Sequence, residues 1–216
     1  MYNTRFVPIY TIGFLEIDVP AYLMKLLRSE VDEMVSSNFK EDSFSTQYLA
    51  SNIENEYYLR KTYPQINDFI GEVAPEYWKY YGNKNLFEKK HTIPVYENNN
   101  KPSLWVNFQK KGEVNPVHNH TGDLSFVIYV KIPYTFEDEH KTPSNINSNA
   151  PSSGVFQFMY CDQYVEGGIS TFNVPTDKNY EGKMILFSSK LNHMVYPFYT
   201  SDEYRITIAG NIQITR

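Results

Sequence analysis

The spacing of apolar residues changes near residue 103 of this 216-residue chain. In the first half, apolar residues recur three or four positions apart within residues 18–38 and 63–81, which is the spacing of amphipathic helices. In the second half they form short runs broken by Gly, Asn, Asp and Ser, which is typical of strands joined by turns. The pattern predicts helices first and a sheet-rich region after them.

The first hundred residues are predicted to begin with a strand and a helix. Residues 6–12 are rich in β-branched and aromatic residues, and Pro8 places this strand at a sheet edge. The helix starts with Asp18 as its N-cap and Pro20 in its first turn, and it ends near Ser36. Its predicted apolar face consists of Leu23, Leu26, Leu27, Val31 and Met34.

Two more helical segments are predicted before the change of pattern. Residues 45–59 form the weaker segment, and residues 63–81 form the stronger one, which Pro75 is expected to end or bend. The stronger segment has one apolar face formed by Ile66, Phe69, Ile70 and Val73. Residues 83–101 are polar and irregular. We expect the helices to cover the outside of a sheet.

Seven runs in the second half are predicted as strands. They are residues 104–108, 124–132, 154–159, 168–174, 183–188, 193–199 and 204–214. Short strands at this spacing predict an all-β sandwich or barrel. Residues 137–153, rich in Asn, Ser and Pro, are interpreted as a mobile surface loop near the barrel mouth. We expect one domain over residues 1–216, in which residues 1–102 brace a core at residues 103–216.

Composition and charge exclude several classes of protein. Hydrophobic residues make up 41% of the chain, which disfavours general disorder, and the net charge of -5 disfavours binding to nucleic acid. Cys161 is the one cysteine, so neither a disulfide framework nor a thiolate zinc cluster can form. No apolar run reaches the roughly 18 residues of a membrane span, and residues 1–10 do not resemble a signal peptide. We expect a cytoplasmic location, in the host if the Asn- and Lys-rich composition reflects a phage genome.

Three histidines are candidates for a metal site. His118 and His120 lie two residues apart, so on a strand both side chains would face the interior. His193 lies at the start of another predicted strand, distant in sequence but reachable across a barrel. Histidine is a common ligand of divalent iron, and two histidines with one carboxylate leave three coordination positions open for other ligands.

Arg205 is the candidate for holding an anion. It lies in an apolar run, where burying an unpaired guanidinium would be costly. No obvious internal carboxylate partner flanks it, and the bidentate carboxylate of a ligand would satisfy its planar group. Tyr129 is placed to donate its hydroxyl to the same carboxylate. The alternative is that Arg205 lies on the exposed face of an edge strand.

These residues, taken in order, resemble the 2-oxoglutarate- and Fe(II)-dependent oxygenases, in particular a branch found in marine bacteria and phages. The matching pieces are Trp105-Val106-Asn107, Gly112, His118-Asn119-His120, Ser125, Tyr129-Val130, the segment from Phe187 to His193, Arg205 and Asn211. The resemblance covers most of the chain and is strongest from Trp105 to Asn211. It implies a double-stranded β-helix, or jelly roll, with iron at one end.

The resemblance also implies roles for individual residues. His118 and His193 would bind Fe(II). Arg205, with Tyr129 and Thr207, would bind 2-oxoglutarate as the cosubstrate. The implied activity is that of a dioxygenase, which hydroxylates a C–H bond of a primary substrate and releases succinate and CO2.

The chain departs from the family pattern at one position. Where most relatives have Asp or Glu, this chain has His120. Three arrangements stay open: His120 as the third ligand, Asp123 in its place, or two protein ligands with water. Because His120 would share a strand face with His118 while Asp123 follows a turn, we expect His120 to face the metal.

Two other functions are kept beside the dioxygenase. The first is a three-histidine, cupin-like metalloenzyme without 2-oxoglutarate, in which Arg205 has no role. The second is a non-catalytic jelly-roll binding module or virion-associated module. The expected partners of the dioxygenase are 2-oxoglutarate, O2 and an unidentified primary substrate, with no membrane and no nucleic acid. The sequence leaves open a homodimer.

Overall fold

The computed structural model describes residues 12–37, 52–81, 83–96, 101–162 and 165–215. Its helices are α1 (Ala21–Ser36), α2 (Tyr63–Tyr80), α3 (Lys84–Phe87) and α4 (Phe136–His140), with a 3-10 helix at Lys178–Tyr180. Its strands are β1 (Phe14–Asp18), β2 (Asn55–Tyr58), β3 (His91–Thr92), β4 (Val95–Tyr96), β5 (Lys101–Pro102), β6 (Leu104–Gln109), β7 (Asn115–His118), β8 (Leu124–Lys131), β9 (Phe156–Cys161), β10 (Ile169–Val174), β11 (Lys183–Ser188), β12 (Asn192–Val195) and β13 (Arg205–Ile214).

Two antiparallel sheets contain most of these strands. The larger sheet has the order β1-β11-β8-β13-β6-β2, with β3 paired to β13. The smaller sheet has the order β10-β9-β12-β7, and β4 pairs with β5 separately. Neighbouring strands are mostly distant in sequence, as in a double-stranded β-helix. The predicted fold, mostly β with flanking helices and a jelly-roll core, is confirmed.

Alternation along the strands gives the larger sheet two different faces. One face of β6 packs against the helices through Leu104, Val106 and Phe108. The opposite face of β6 lines a cavity through Trp105, Asn107 and Gln109. The same alternation on β13 sends Ile206 and Ile208 toward the helices, and Arg205 and Thr207 toward the cavity. The sheet therefore separates the helical layer from the site.

An aromatic cluster fills the space beside the cavity. Its buried members from the smaller sheet are Phe156, Phe158 and Val174, and those from the larger sheet are Tyr129, Ile185 and Phe187. The aromatic rings pack edge to face, with centroids of Phe158 and Phe187 5.0 Å apart. Tyr129 and Phe156 of this cluster also line the cavity, so the cluster packs directly beside it.

Both long helices occur where the apolar spacing predicts them, with corrections at particular residues. Asp18 is not the N-cap of α1, because it ends β1 and Pro20 takes the cap position. Leu26 does not belong to the apolar face, since it is 40% exposed while its neighbour Leu27 is buried. Pro75 lies inside α2 and does not end it.

Other predicted segments were wrong or lie outside the described residues. The strand at residues 6–12 falls almost entirely outside them, and so do residues 45–51 of the weaker helix. The rest of that helix was wrong, because residues 55–58 form β2, an edge strand paired with β6. Strands β1 and β7 were missed, since short strands of mixed polarity give little periodic signal.

The interpretation of residues 137–153 as a mobile surface loop was wrong in part. The segment begins inside α4, and Glu139 of that helix is fully buried. The Glu139 carboxylate accepts hydrogen bonds from the backbone N–H groups of Tyr199 and Thr200 and from the Thr200 hydroxyl. These bonds fasten the segment to the loop that precedes β13.

No helix in the described part of the chain is both long and apolar enough to cross a bilayer.

A buried histidine outside the predicted site joins the helical layer to the larger sheet. His91 is 1% exposed, its Nδ1 donates to the Lys89 carbonyl at 2.9 Å, and its Nε2 accepts from Trp78 Nε1 at 2.9 Å. Burial lowers the pKa of His91 below its ordinary value. Because one ring nitrogen donates and the other accepts, these two hydrogen bonds require the neutral imidazole.

We predict that His91 makes the fold sensitive to acid. Its pKa is lower in the folded state than in the unfolded state, so its stabilising effect is complete above about pH 6.5 and is lost as the pH falls below that value. His91→Gln should lower the free energy of unfolding at pH 7 but reduce its decrease between pH 7 and pH 5, measured by urea unfolding. An equal decrease in both proteins would contradict this, since the other histidines are common to both.

Candidate metal centre

The three predicted histidines lie together between the two sheets. Strand β12 pairs with β7 so that His193 is directly opposite His118. The centroids of these two rings are 4.2 Å apart, and the ring of His120 lies 4.9 Å from His118 and 5.0 Å from His193. One ring nitrogen from each histidine can be chosen so that all three lie within 4.8 Å of one another. This spacing allows one ion to contact all three imidazoles.

Backbone carbonyls fix the tautomers of two of the rings. Nδ1 of His118 lies 2.7 Å from the Pro116 oxygen, and Nδ1 of His193 lies 2.9 Å from the Leu191 oxygen. Because a carbonyl oxygen only accepts, each Nδ1 must carry the proton and donate. The lone pair of each ring is therefore on Nε2, which is the arrangement typical of a histidine prepared for a metal.

His120 reaches the cluster from the loop after β7. Its backbone N–H donates to the Ser189 oxygen at 2.8 Å, and its carbonyl accepts from Lys190 Nζ at 3.1 Å. Its ring centroid lies 5.8 Å from that of Trp105. Since β7 ends at His118, the expected common strand face was not the reason for the convergence. The contacts of the loop with Ser189 and Lys190 position His120 instead.

Burial keeps all three imidazoles neutral. Loss of solvent is the main cause that lowers the pKa of each ring: that of His118 falls below its ordinary value, that of His120 falls to about 3, and that of His193 falls well below its ordinary value. Neighbouring imidazoles lower the pKa of His120 and His193 further. The neutral ring is the form that binds a metal.

The structure places Asp123 outside this cluster. Its carboxylate accepts the backbone N–H of Ile214 at 2.8 Å, and its own N–H donates to the Ile212 oxygen at 2.9 Å. Through these two hydrogen bonds Asp123 holds the end of β13. Asp123 is not among the residues that line the cavity. The group of potential ligands found among the described residues contains the three histidines and no carboxylate.

Arg205 is buried in the middle of the larger sheet. It is 2% exposed, and β13 has neighbours on both sides, which excludes the alternative of an exposed edge strand. The guanidinium donates through Nε to Gln109 Oε1 at 2.9 Å and through Nη1 to the Tyr134 hydroxyl at 2.7 Å. Longer contacts reach the carbonyls of Gly154 at 3.2 Å and Tyr196 at 3.5 Å. The acceptors that hold Arg205 among the described residues are neutral, so they leave its charge uncompensated.

The Gly154 carbonyl is a common acceptor beside Arg205. It receives hydrogen bonds from the Tyr134 hydroxyl at 2.9 Å and from the Thr176 hydroxyl at 3.0 Å, besides the contact with Arg205. The ring of Phe198 lies on another side of the guanidinium, with its centroid 5.9 Å from the central carbon. These groups fix the plane of Arg205 before any ligand binds.

Buried polar atoms without partners point to an expected ligand. Among the described residues they are the hydroxyl of Tyr129 and the side-chain oxygens of Asn107 and Asn115, and all three residues line the cavity that holds the histidines and Arg205. A cavity with unpaired polar atoms on its walls is typical of a binding site rather than of packing. Burial raises the pKa of Tyr129 far above its ordinary value, so its hydroxyl remains a donor.

The cavity has a volume of about 140 Å³. Its floor is a row of four side chains in register across adjacent strands of the larger sheet: Glu56, Asn107, Thr207 and Tyr129. Asn107 donates to the Thr207 hydroxyl at 3.2 Å. Residues directly opposite one another in a sheet point to the same side. The row thus connects the predicted residues Thr207 and Tyr129 to Asn107, which belongs to the segment Trp105-Val106-Asn107, and to Glu56, which was not predicted.

Gln109, Tyr134 and Glu56 were missed as functional candidates. Gln109 carries a detectable signal, because a polar residue in the otherwise buried strand β6 needs a partner. Tyr134 and Glu56 carry no such signal, since each lies in a segment whose position depends on packing between elements distant in sequence.

The residues present fit divalent iron and 2-oxoglutarate. Three neutral imidazoles are ligands that Fe(II) accepts, and they leave three positions of an octahedral ion open. The unmatched charge of Arg205 and the unpaired Tyr129 hydroxyl fit the carboxylate of a dianion. Thr207 lines the same cavity as the three histidines and Arg205.

Comparison with known proteins gives the family of the chain. A family model described as "Putative 2OG-Fe(II) oxygenase" matches residues 103–211, which is 109 of the 216 residues. The chain belongs to this family, the 2-oxoglutarate- and Fe(II)-dependent oxygenases. It is therefore an oxidoreductase with Fe(II) as cofactor and 2-oxoglutarate as cosubstrate.

Solved structures share the fold at low sequence identity. A crystal structure of a prolyl-4-hydroxylase from Pseudomonas putida is 15% identical, with a TM-score of 0.54 over 95% of this chain and 94% of that chain. An oxidoreductase of the 2OG-Fe(II) oxygenase family from Burkholderia pseudomallei is 12% identical, with a TM-score of 0.49 over 93% of this chain and 84% of that chain. At 15% identity, the first likeness supports the fold alone. A search of curated proteins found no match.

We predict that His118→Ala and His193→Ala each weaken Fe(II) binding by about 100-fold or more, because each removes one of three ligands. Anaerobic titration with metal content measured after desalting tests this. His140→Ala is the matched control, since His140 lies on α4 outside the cluster. Equal Fe(II) retention by the parent and both cavity variants would place the iron elsewhere.

Proposed function

We propose that this chain is a dioxygenase that hydroxylates a C–H bond of its primary substrate and converts 2-oxoglutarate to succinate and CO2. The observation that carries the proposal is the shared cavity, in which three neutral imidazoles and a buried arginine face the same space, and that arginine has no acidic partner among the described residues. Family membership gives the cofactors, and the lining of the cavity supports a position for each of them within it.

The histidines are proposed to hold the iron through Nε2. His118 and His193 are held by carbonyls in the required tautomer, and His120 is the third ligand in place of the usual carboxylate. When bound, Fe(II) supplies the redox chemistry that couples O2 to the oxidation of 2-oxoglutarate and of the substrate. The protein contributes orientation and a site from which bulk water is largely excluded.

Arg205 is proposed to bind the far carboxylate of 2-oxoglutarate. A carboxylate would replace the two longest contacts of the guanidinium, those with the carbonyls of Gly154 and Tyr196, while Gln109 and Tyr134 keep its plane in place. The Tyr129 hydroxyl, which has no partner among the described residues, would donate to the same carboxylate. Thr207 lies next to Tyr129 in the row across the sheet and lines the path toward the histidines.

The alternative without 2-oxoglutarate leaves Arg205 unexplained. A three-histidine metalloenzyme of that kind has no anion to place against a guanidinium that is 2% exposed and surrounded by neutral acceptors. Burying such a charge is costly, and the cost is offset when a ligand carboxylate completes the pair. The contacts of Arg205 therefore support the dioxygenase over this alternative.

Anaerobic titration of Fe(II) and 2-oxoglutarate is the experiment that tests the proposal. A metal-to-ligand charge-transfer band in the visible should develop only when both are present, because it requires 2-oxoglutarate bound to the iron. Succinate and CO2 should then form on addition of O2. Binding of Fe(II) without any such band would support the three-histidine alternative, and failure to bind Fe(II) would support the non-catalytic module.

We predict that Arg205→Ala weakens 2-oxoglutarate binding by about 2 to 5 kcal/mol, which is the cost of removing one partner of a buried charge pair. Binding of Fe(II) alone should change little, and this shows that the variant is folded. Arg205→Lys should restore affinity only in part, because an ammonium cannot form the planar two-point contact. Arg28→Ala is the control, since Arg28 is half exposed on α1 beside Glu181. Equal affinity in the parent and Arg205→Ala would exclude the role.

We predict opposite effects of Tyr129→Phe on affinity and on stability. Removing the hydroxyl should weaken 2-oxoglutarate binding about tenfold or more, because a hydrogen bond to a charged group is lost. The ligand-free protein should be as stable as the parent or more stable, because an unpaired buried hydroxyl is removed. Charge-transfer titration and thermal unfolding measure the two effects. A loss of stability with unchanged affinity would show that the hydroxyl has a structural role.

A further inference from the structure

Gln109 and Arg205 lie directly opposite each other on neighbouring strands. Strand β6 pairs with β13 in this register, and residues that face one another across a sheet point to the same side. Both side chains are buried, with exposures of 3% for Gln109 and 2% for Arg205. One atom, Gln109 Oε1, accepts hydrogen bonds from Nε of the guanidinium, at 2.9 Å, and from Nη2. Position 109 is therefore where a carboxylate would form an ion pair with Arg205.

A backbone carbonyl requires an amide at this position. Gln109 is the last residue of β6, and its Nε2 donates to the Glu113 oxygen at 2.5 Å, in the connection between β6 and β7. Because a carbonyl oxygen only accepts, the Nε2 end of the amide must face Glu113 and the Oε1 end must face Arg205. An ionised carboxylate has no hydrogen to donate to that oxygen. The hydrogen bonds at both ends of the side chain thus select a neutral group.

The other groups around the guanidinium are neutral as well. The Tyr134 hydroxyl accepts from Nη1 at 2.7 Å, and burial raises the pKa of Tyr134 above its ordinary value, so the hydroxyl stays protonated. The carbonyls of Gly154 and Tyr196 are the remaining acceptors in the part of the chain that the structure describes. The N–H groups of Arg205 have acceptors, but none of these acceptors is an anion. The negative charge that would balance Arg205 is left to a ligand.

We propose that Gln109 determines the selectivity of the cosubstrate site, because its neutral amide leaves the charge of Arg205 available to the second carboxylate of a 2-oxo diacid. This inference rests on the proposed function, in which Arg205 binds the far carboxylate of 2-oxoglutarate. A 2-oxo monoacid has no group for Arg205 and gains nothing from its charge. Gln109 acts through Arg205, so it is a positioning residue. A negative charge at position 109 would pair with Arg205 and compete with the diacid.

The charge-transfer band of the Fe(II)-loaded protein can measure this selectivity. Anaerobic titrations at about pH 8 give the dissociation constants of 2-oxoglutarate and of 2-oxopentanoate, which has a methyl group in place of the far carboxylate. The parent should bind 2-oxoglutarate at least about 100-fold more tightly, as expected for a buried charge pair. The ratio of the two constants is the measured preference. Damage to the metal end of the site would weaken both acids and leave this ratio unchanged.

The substitution Gln109→Glu should reduce the preference by at least about tenfold, because the new carboxylate would neutralise Arg205. The reduction should come from weaker binding of 2-oxoglutarate. Affinity for 2-oxopentanoate should stay within about threefold of the parent, since the iron end is unchanged. Gln213→Glu is the matched control, because it makes the same change at an exposed position on the strand that carries Arg205. Fe(II) content after desalting checks that each variant keeps its metal site.

A second pair of variants separates charge from hydrogen bonding. Gln109→Asp and Gln109→Asn are equal in size and both shorten the side chain, but only the first adds a charge. The preference of Gln109→Asp should be at least about tenfold lower than that of Gln109→Asn. Equal preferences in this pair would overturn the proposal, and so would an unchanged preference in Gln109→Glu.

Thermal unfolding identifies any variant that does not fold. If Gln109→Glu fails to fold, the pair Gln109→Asp and Gln109→Asn decides the question, because the shorter side chain leaves room for water at the Glu113 carbonyl. Failure of both acidic variants to fold would also overturn the proposal, since a carboxylate that pairs with Arg205 should not prevent folding.

The outcome is distinguishable from failure of the proposed function. If the parent forms no charge-transfer band with either 2-oxo acid, the proposed dioxygenase function is wrong. If the parent binds both acids equally, Arg205 does not bind the far carboxylate, and the inference about Gln109 is rejected with it. If the parent prefers 2-oxoglutarate and the acidic variants keep that preference, the proposed function stands and the role of Gln109 alone is rejected.

Discussion

The pairing of β12 with β7 sets the distance between His118 and His193, and the other parts of the site are arranged around this pair. On its far side β12 is fixed by β9, whose Phe156 ring stacks on His193 with centroids 5.3 Å apart. Backbone carbonyls then hold both rings in one tautomer. The positions of the two imidazoles are therefore determined by sheet hydrogen bonds and aromatic packing, and binding an ion requires little rearrangement of these two side chains.

The two walls of the cavity have different electrostatic character. The smaller sheet and its loop present neutral imidazoles, while the larger sheet presents a cation at Arg205 and a carboxylate at Glu56. Neutral acceptors around Arg205 keep it solvated by protein atoms without cancelling its charge. One end of a 2-oxoglutarate dianion would therefore lie near the histidines, where a metal can bind. Its far carboxylate would be attracted to Arg205 on the other wall. This division gives the cosubstrate a direction in the site.

Much of the fold and part of the site could be predicted from the sequence, because the signals lie within single short segments of the chain. Helical spacing identified α1 and α2, and the change to short apolar runs identified the sheet-rich half. Arg205 was recognisable because a charged residue within an apolar strand requires an explanation. The three histidines could be proposed as a group because their chemistry is specific, and the structure brings them together.

The rest depended on contacts between elements that are distant in sequence. Strand β2 has no distinctive period and forms because it pairs with the edge of β6. His120 lies beside the other two histidines, but the loop after β7 carries it and not the strand on which the prediction relied. The role of Asp123 at the end of β13 also appears only when Ile214 is folded against it. Contacts of this kind form between segments that are far apart in the chain, and they cannot be predicted from the residue pattern of either segment alone.

The Gly154 carbonyl connects the cosubstrate end of the cavity to the segment that precedes it. Its backbone has φ +73°, and a Cβ atom there would lie 2.6 Å from the ring of Tyr134. Any other residue would therefore displace an acceptor that Tyr134, Thr176 and Arg205 share. A side chain at residue 154 would therefore affect the guanidinium without touching it, through the acceptor that it shares with Tyr134 and Thr176.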